Sequence, residues 1–542
     1  MSARTPVDDF RPGWSSFAAF FLDRDDVTSA FLIELDHEKR TRRSWTVAEW
    51  QAWVLQTVAW LTSKGVARDG AVATLAGNTA EALVVAYGCW VLGACVVPLN
   101  PGDSPSRQEH VLRDAKVSVL IHADSAGARA GALGAATGLA ALPTSALAQL
   151  NATPAAAPSR ESLLHDLDGN GLDMPALRVY TSGTTGLPKG VVLTTANLLT
   201  DCDALALRLA WPADTRLLTV LPVHHVNGLI VSSLLPWYAR LSTVLCDRFR
   251  SGRFWEDVAR ERATVCSVVP SLLEFLLRTG PARPEHFREF LCGAGPLLVE
   301  TVVEAEECFT VPVRHLYGLS ETTAVVTLMP TMTDADRLGW YREHGFPSIG
   351  PALAHVEVTV VDPAGTVAAA GVRGELVARG GVVMQGYAEN TAANEEAFRD
   401  GWFHTGDEGF WRPGPKGVKF FFVTGRMKEL IIRGGANVSP FEVDEVLRSH
   451  PRVRHGMAVA FTNRFYGEEI AAYVVRDGEV SEEEILAHCA QSLDFARCPK
   501  VVVFGDEVPY TTTGKPKRLE LKQRLATALD PYRDVQFRRS SH

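Results

Sequence analysis

Apolar positions along the chain fall either in short continuous runs or in longer stretches where they recur every three or four residues. The first pattern is that of strands buried on both faces, the second that of amphipathic helices. Their alternation predicts α/β domains with largely parallel sheets. Strands are predicted at 117–121, 217–221, 242–246 and 311–316. The uncharged stretch 82–99 is long enough to imitate a membrane span. Gly88, Gly93 and Pro98 interrupt it, and Val96-Val97-Pro98-Leu99 has the look of a buried strand, so a packed helix followed by a strand is predicted instead. Between 123 and 158 Ala, Gly, Ser and Pro predominate. Such a segment is either a linker or a weak helix and strand on a variable sheet edge, and the apolar residues within 139–150 favour the second.

A short α/β pattern restarts after Gly425-Arg426-Met427-Lys428, which predicts one unit over 1–427 and a second over 428–542. A helix start is legible in the second unit. Ser439 suits the N-cap, Pro440 the first helical position, and Glu442 would complete a capping box.

Charge narrows the function. The formal net charge is -9, which argues against a nucleic-acid partner, since such proteins need an excess of Lys and Arg to displace counterions. Nine cysteines are scattered without a CxxC pair, as expected of reduced thiols in a cytoplasmic protein. Residues 1–12 lack the apolar centre of a signal peptide, and no transmembrane segment is expected.

The strongest local chemistry lies at Tyr180-Thr181-Ser182-Gly183-Thr184-Thr185-Gly186-Leu187-Pro188-Lys189-Gly190, between one strand ending at Arg178-Val179-Tyr180 and another at 191–193. Glycines turn backbone N–H groups toward an anion, hydroxyls add donors, and a lysine adds charge. These are the needs of a triphosphate, although the spacing is not that of a P-loop; composition alone fits a Gly/Thr-rich surface turn equally well.

The order of residues from Ser182 to Gly190 resembles the phosphate loop of the adenylate-forming superfamily, which includes acyl-CoA synthetases, peptide-synthetase adenylation domains and beetle luciferases. Further segments resemble that family's motifs in the family's order: Tyr317-Gly318-Leu319-Ser320-Glu321-Thr322, then Gly401-Trp402-Phe403-His404-Thr405-Gly406-Asp407, then Gly425 to Ile431 with Gly434-Gly435 and Asn437, then Thr513-Gly514-Lys515. The resemblance is greatest to an acyl-CoA synthetase. It implies a large N-terminal part of two doubly wound sheets plus a small β-barrel-like subdomain, and a small mobile α+β C-terminal domain.

The resemblance also implies roles. The reaction is activation of a carboxylic acid by ATP to acyl-AMP, with release of pyrophosphate, then transfer to the thiol of coenzyme A. Tyr317 would stack on adenine, with Gly293, Ala294 and Gly295 alongside and Gly318 and Ser320 next in the motif. Thr181, Ser182, Gly183, Thr184, Thr185, Gly186 and Lys189 would grip the phosphates. Glu321 would hold Mg2+, Asp407 the ribose hydroxyls with Arg426 assisting, and Lys515 the carboxylate and α-phosphate. Lys428 would be the hinge, and Gly434 and Gly435 would line the thiol tunnel.

In the acyl segment Leu221-Pro222-Val223-His224-His225-Val226-Asn227-Gly228, His225 matches the family's histidine, with Asn227 and Gly228 beside it. Residues 269–273 with Ala324-Val325 suggest a pocket for an apolar or aromatic acid. The family's aromatic-His pair is here His224-His225, and Thr194-Thr195-Ala196-Asn197 stands where a histidine usually follows the phosphate loop. Two other readings exist: delivery of the acyl group to a carrier protein or another nucleophile, and a non-catalytic nucleotide binder. The 349–380 region lacks the insertion that restrains the small domain in fatty acyl-AMP ligases, and Lys515, Glu321 and Asp407 are all present. A monomer or homodimer is expected.

Overall fold

The computed structural model describes residues 10–152, 171–181, 188–280, 282–332, 334–434, 436–511 and 516–538. Two large sheets dominate. One has eight strands in the order Thr327–Leu328, Val313–Tyr317, Glu289–Cys292, Val265–Val268, Arg216–Thr219, Ser242–Cys246, Ala30–Asp36 and Thr41–Thr46. Its pairings are parallel except at the two edges. The other has seven, in the order Gly386–Tyr387, Lys189–Thr194, Pro175–Thr181, Cys95–Pro98, Ala71–Leu75, Val119–His122 and Ala140–Pro143. The predicted strands at 117–121, 217–221 and 311–316 form within about two residues of the expected bounds, and Ser242–Cys246 matches.

The uncharged stretch becomes the helix Ala80–Leu92 followed by the strand Cys95–Pro98. Thr79 caps its start, and Gly93, at φ 84°, ends it in the left-handed region. The helix is apolar because it is buried all round. Tyr87 and Trp90 face Phe17, and their polar tips donate to carbonyls of Ser233 and Ala176 at 3.1 and 2.9 Å. Among the described residues no helix is long and apolar enough to cross a membrane. The Ala-rich region forms the helix Gly127–Thr137 and the edge strand Ala140–Pro143, and its part at 153–158 lies outside the described residues.

A third, antiparallel sheet holds Val356–Val361, Gly374–Gly380, Trp402–Pro413, Phe398–Arg399 and Lys419–Arg426. The fourth begins after the Met427–Glu429 turn and contains Ile431–Arg433, Ala436–Val438, Val453–Asn463, Gly467–Arg476 and Val501–Gly505, with the helices Pro440–Arg448, Glu482–Ser492 and Arg518–Leu529 around it.

The predicted capping box does not form. Ser439 is the N-cap and Pro440 opens the helix, but the Ser439 hydroxyl donates to the Thr424 carbonyl, across the turn. Glu442 is held instead by the Arg373 and Arg497 guanidinium groups. Charge-assisted bonds to arginine outcompete one to a backbone N–H.

Besides Arg373–Glu442 and Ser439–Thr424, further polar contacts join the C-terminal unit to the large one. The Glu445 carboxylate accepts from the Val299 N–H at 3.1 Å, capping the start of the helix Val299–Phe309. His455 lies 3.3 Å from Glu274, and Arg448 3.2 Å from Glu304.

Candidate active site

The site lies where strand ends of three sheets meet. In the seven-stranded sheet, Pro175–Thr181 and Lys189–Thr194 form a hairpin in which Thr181 faces Lys189. The loop between them, with Ser182, Gly183, Thr184, Thr185 and Gly186, lies outside the described residues. The short strand Gly386–Tyr387 adds to the hairpin opposite Val191 and Val192. It brings Tyr387 against two predicted residues at once. The Tyr387 hydroxyl donates to Glu321 Oε1 at 3.0 Å, and Lys189 Nζ lies 4.9 Å from the Tyr387 ring centre. Burial and the adjacent Glu321 carboxylate push the Tyr387 phenol up, so it stays a donor.

Glu321 is buried in the turn Ser320–Thr322, which is locked by Leu319 N–H donating to Thr322 Oγ1 at 2.9 Å. Ser320 opens that turn. The next residue, Thr323, holds φ 65°, ψ -73°, an unfavourable conformation for a branched side chain, and its hydroxyl is fixed on the Val382 carbonyl at 2.7 Å.

Tyr317 ends a strand of the eight-stranded sheet and reaches the antiparallel sheet. Its hydroxyl donates to Asp407 Oδ2 at 2.6 Å, and Arg426 Nε lies 2.8 Å from Asp407 Oδ1. Asp407 and Arg426 are directly opposed on neighbouring strands, so sheet register builds the ion pair. The Asp407 carboxylate raises the Arg426 pKa and, after burial, that of Tyr317.

Two glycines make the cradle. A Cβ on Gly293 would stand 2.4 Å from the Leu316 side chain, and one on Gly318 would stand 2.1 Å from the Ala324 carbonyl oxygen. Ala294 adopts φ 65° between Gly293 and Gly295, and a Cβ on Gly295 would stand 3.5 Å from the Pro270 ring.

A cavity of about 450 Å³ has walls that include Asn78, Leu221, His224, Val269, Leu272 and Tyr510. Residues 269, 271 and 272 of the expected pocket line it, as does Thr511. Of the histidine pair, His224 reaches the wall. Both its ring nitrogens are buried with no hydrogen-bond partner among the described residues, and burial lowers its pKa to about 4. His225, Asn227 and Gly228 do not line this cavity; Ala324 and Val325 are buried elsewhere. His225 begins the approach to a π-helix, Asn227–Leu234. Asn227 Oδ1 accepts from Ser267 at 2.9 Å, and a Cβ on Gly228 would meet the Pro222 carbonyl at 2.3 Å. Asn197, near the missing family histidine, completes a capping box with Thr194.

The C-terminal unit covers this end. Tyr510 and Pro516 form an isolated antiparallel bridge; residues 512–515, Lys515 among them, lie outside the described residues. Lys428, in the Met427–Glu429 turn, is exposed and 3.7 Å from Glu396. Gly434, at φ 56°, donates to the Tyr466 carbonyl at 2.7 Å and does not line the cavity; Gly435 lies outside the described residues.

Sequence reasoning missed Tyr387 and Asn78. Asn78 donates to the carbonyls of Leu221 and Cys246 and accepts from Val223 N–H, so it knits the cavity floor. A Gly-Tyr pair and a lone asparagine carry no local signal, since both act across long sequence separations.

The sequence profile of the AMP-binding enzyme family matches residues 27–388, and that of the AMP-binding enzyme C-terminal domain matches 442–515. The chain is 38% identical over 355 residues to a sulfoacetate--CoA ligase of Cupriavidus necator, covering 64% of this chain and 67% of the relative. It is 30% identical over 517 residues to a 2-succinylbenzoate--CoA ligase of Bacillus cereus, covering 94% and 98%. The ATP-bound structure of MatB from Rhodopseudomonas palustris superposes with a TM-score of 0.82 at 28% identity, covering 94% of this chain and 98% of that one.

Proposed function

The chain belongs to the AMP-binding enzyme family, and on that premise we propose that it activates a carboxylic acid with ATP and passes the acyl group to coenzyme A. What supports this reading is the grouping of the motif residues. Tyr317, Asp407 and Arg426 are joined to one another, Glu321 and Lys189 both stand against Tyr387, and a cavity walled in part by His224 and Tyr510 could take the acid.

The reaction needs three things from such residues. A carboxylate oxygen attacks the α-phosphorus of ATP; a P–O bond to that oxygen forms, and the bond to pyrophosphate breaks. Asp407 fixes the ribose, so that the phosphorus is aligned. Lys189, the hydroxyls of the preceding loop and Lys515 balance charge on the phosphates and the incoming carboxylate. Glu321 would hold Mg2+. A hard carboxylate suits that ion, and Glu321 Oε2 accepts no hydrogen bond among the described residues while Tyr387 fixes Oε1. The bound ion supplies charge neutralisation between phosphates. In the second step the thiolate of coenzyme A attacks the acyl carbon, a C–S bond forms, and AMP leaves with the shared electron pair.

The division at Lys428 is part of this proposal. With Tyr510 and Thr511 of the C-terminal unit in the cavity wall, the arrangement suits the first step. Rotation about the Met427–Glu429 turn would withdraw Lys515 and bring Gly434 and Gly435 to the thiol's path. The protein acts as a monomer or homodimer in this reading.

Acid-dependent pyrophosphate release across a panel of acids tests the first step, and thioester formation with and without coenzyme A tests the second. Lys515→Ala should suppress pyrophosphate release while sparing reaction of supplied acyl-AMP with coenzyme A. Pyrophosphate without thioester would favour a carrier-protein acceptor. Absence of acid-dependent pyrophosphate release would refute adenylation.

A further inference from the structure

Behind the cavity floor lies a cluster that the proposed chemistry does not use. His37 follows the strand Ala30–Asp36, Cys246 ends the strand Ser242–Cys246, and Asp257 sits on the helix Ser251–Glu261. The first two strands are neighbours, so the ends of a parallel pair and a covering helix bring the three together. One imidazole nitrogen, the sulfur and one carboxylate oxygen all lie within 4.8 Å of one another.

We infer that His37, Cys246 and Asp257 form a binding site for a borderline-soft divalent cation of the zinc class, with a water as fourth ligand.

The donor set is one that such ions favour, and hard ions such as Mg2+ do not. In a tetrahedral site with such ligands the donor atoms stand about 3.3–3.8 Å apart. His37 Nε2 and Asp257 Oδ2 are already 2.6 Å apart. Small side-chain shifts therefore open that pair and draw the sulfur in.

The sulfur is the atom that a simple His–Asp pair leaves unexplained. Cys95, Cys266 and Cys498 each point their S–H at a backbone carbonyl. The Cys246 thiol is buried and donates to no acceptor among the described residues. Burial, with Asp257 nearby, pushes the thiol up, so it holds its proton without a cation. On ion binding the S–H bond breaks, a sulfur–metal bond forms, and the proton leaves to solvent. His37 then binds through Nε2 as a neutral imidazole, its proton on Nδ1. One thiolate and one carboxylate cancel the two positive charges, which suits a buried position. Arg260, half exposed and 3.7 Å from Asp257 Oδ1, donates through Nε to Glu261 Oε1 at 3.0 Å, so its charge is already balanced by a second carboxylate. The side chains of His37 and Asp257 are 7% and 6% exposed, which leaves an edge open to solvent.

The test is a titration of the full-length protein, purified in chelator, with Co2+ followed by Zn2+. Co2+ should produce a thiolate-to-metal charge-transfer band and strong tetrahedral d–d bands that saturate at one equivalent. Zn2+ should abolish them, and excess Mg2+ should not. Cys246→Ser should remove the charge-transfer band, and Asp257→Asn and His37→Gln should weaken binding about ten- to a hundredfold. Zn2+ should raise the melting temperature of the parent protein and leave that of Cys246→Ser unmoved. No band, or a band that survives in Cys246→Ser, would overturn the assignment. Should Cys246→Ser not fold, an unchanged titration in His37→Gln would do the same.

Discussion

The two ends of the site differ in how their polar groups are occupied before any ligand is present. At the end proposed for the nucleotide, Tyr317, Asp407 and Arg426 hold one another, and Tyr387 holds Glu321 and Lys189. At the acyl end, both nitrogens of His224 are buried without a hydrogen-bond partner among the described residues. A ligand that never varies can be met by a preformed frame, since ordering is complete before binding. Polar atoms left unsatisfied by the protein carry a desolvation cost that a suitable ligand group removes. Discrimination between acids is therefore expected at His224, and tolerance of every acid alike at Asp407.

The largest effect should come from breaking the preformed end. Asp407→Asn removes a charge-assisted bond from Tyr317 and leaves Arg426 without its partner. Acid-dependent pyrophosphate release should fall by about a hundredfold or more, by the same factor for every acid. A loss that varied with the acid would dissolve the distinction. Tyr387→Phe should cost about tenfold, mainly as a higher Mg2+ requirement, because Glu321 loses the donor that fixes Oε1.

At the other end, His224→Phe should reorder the preferred acids, with changes of about tenfold in relative kcat/KM and an unchanged KM for ATP. Because burial holds the His224 pKa near 4, the imidazole is neutral across the neutral range. The order of acids should then be constant from about pH 6 to pH 9. A selectivity that switches near pH 6.5 would mean a charged ring.

The smallest effect concerns the seam. Burial raises the Glu274 carboxyl to about 7 beside His455. A raised carboxyl favours the protonated, docked form. The Glu274 carboxyl weakens docking as pH climbs from the ordinary carboxylate value through about 7, whereas His455, which burial pushes down to about 4, strengthens it as pH climbs from about 4 to the ordinary imidazole value. Protection of the Met427–Glu429 turn against proteolysis would report this, and Glu274→Gln should remove the carboxyl's share and leave protection rising with pH.

Contiguous motifs made much of this site legible. Glu321, Asp407, Tyr317 and Lys189 stand in short runs whose chemistry is local; the structure pairs Tyr317 with Asp407 and sets Glu321 and Lys189 against Tyr387. Gly293 and Gly318 were legible as glycines, whereas the reason for them, Leu316 and the Ala324 carbonyl pressed against each, needed the fold. Tyr387 was invisible because its partners lie far away in the chain. Ser439 misled because its hydroxyl had a rival acceptor across the turn. Of the histidine pair, the structure sets His224 in the cavity wall and places His225 just before the π-helix, a difference that the two adjacent letters do not reveal.

Arg426 is the last residue of its strand, and the Met427–Glu429 turn begins immediately after it. A lever swings cleanly only from a braced fulcrum, and here the brace is the very clamp that would grip a sugar. An occupied nucleotide end would stiffen the bearing about which the C-terminal unit turns, whereas an empty one would leave it loose, so the swing would be truest when there is cargo to deliver.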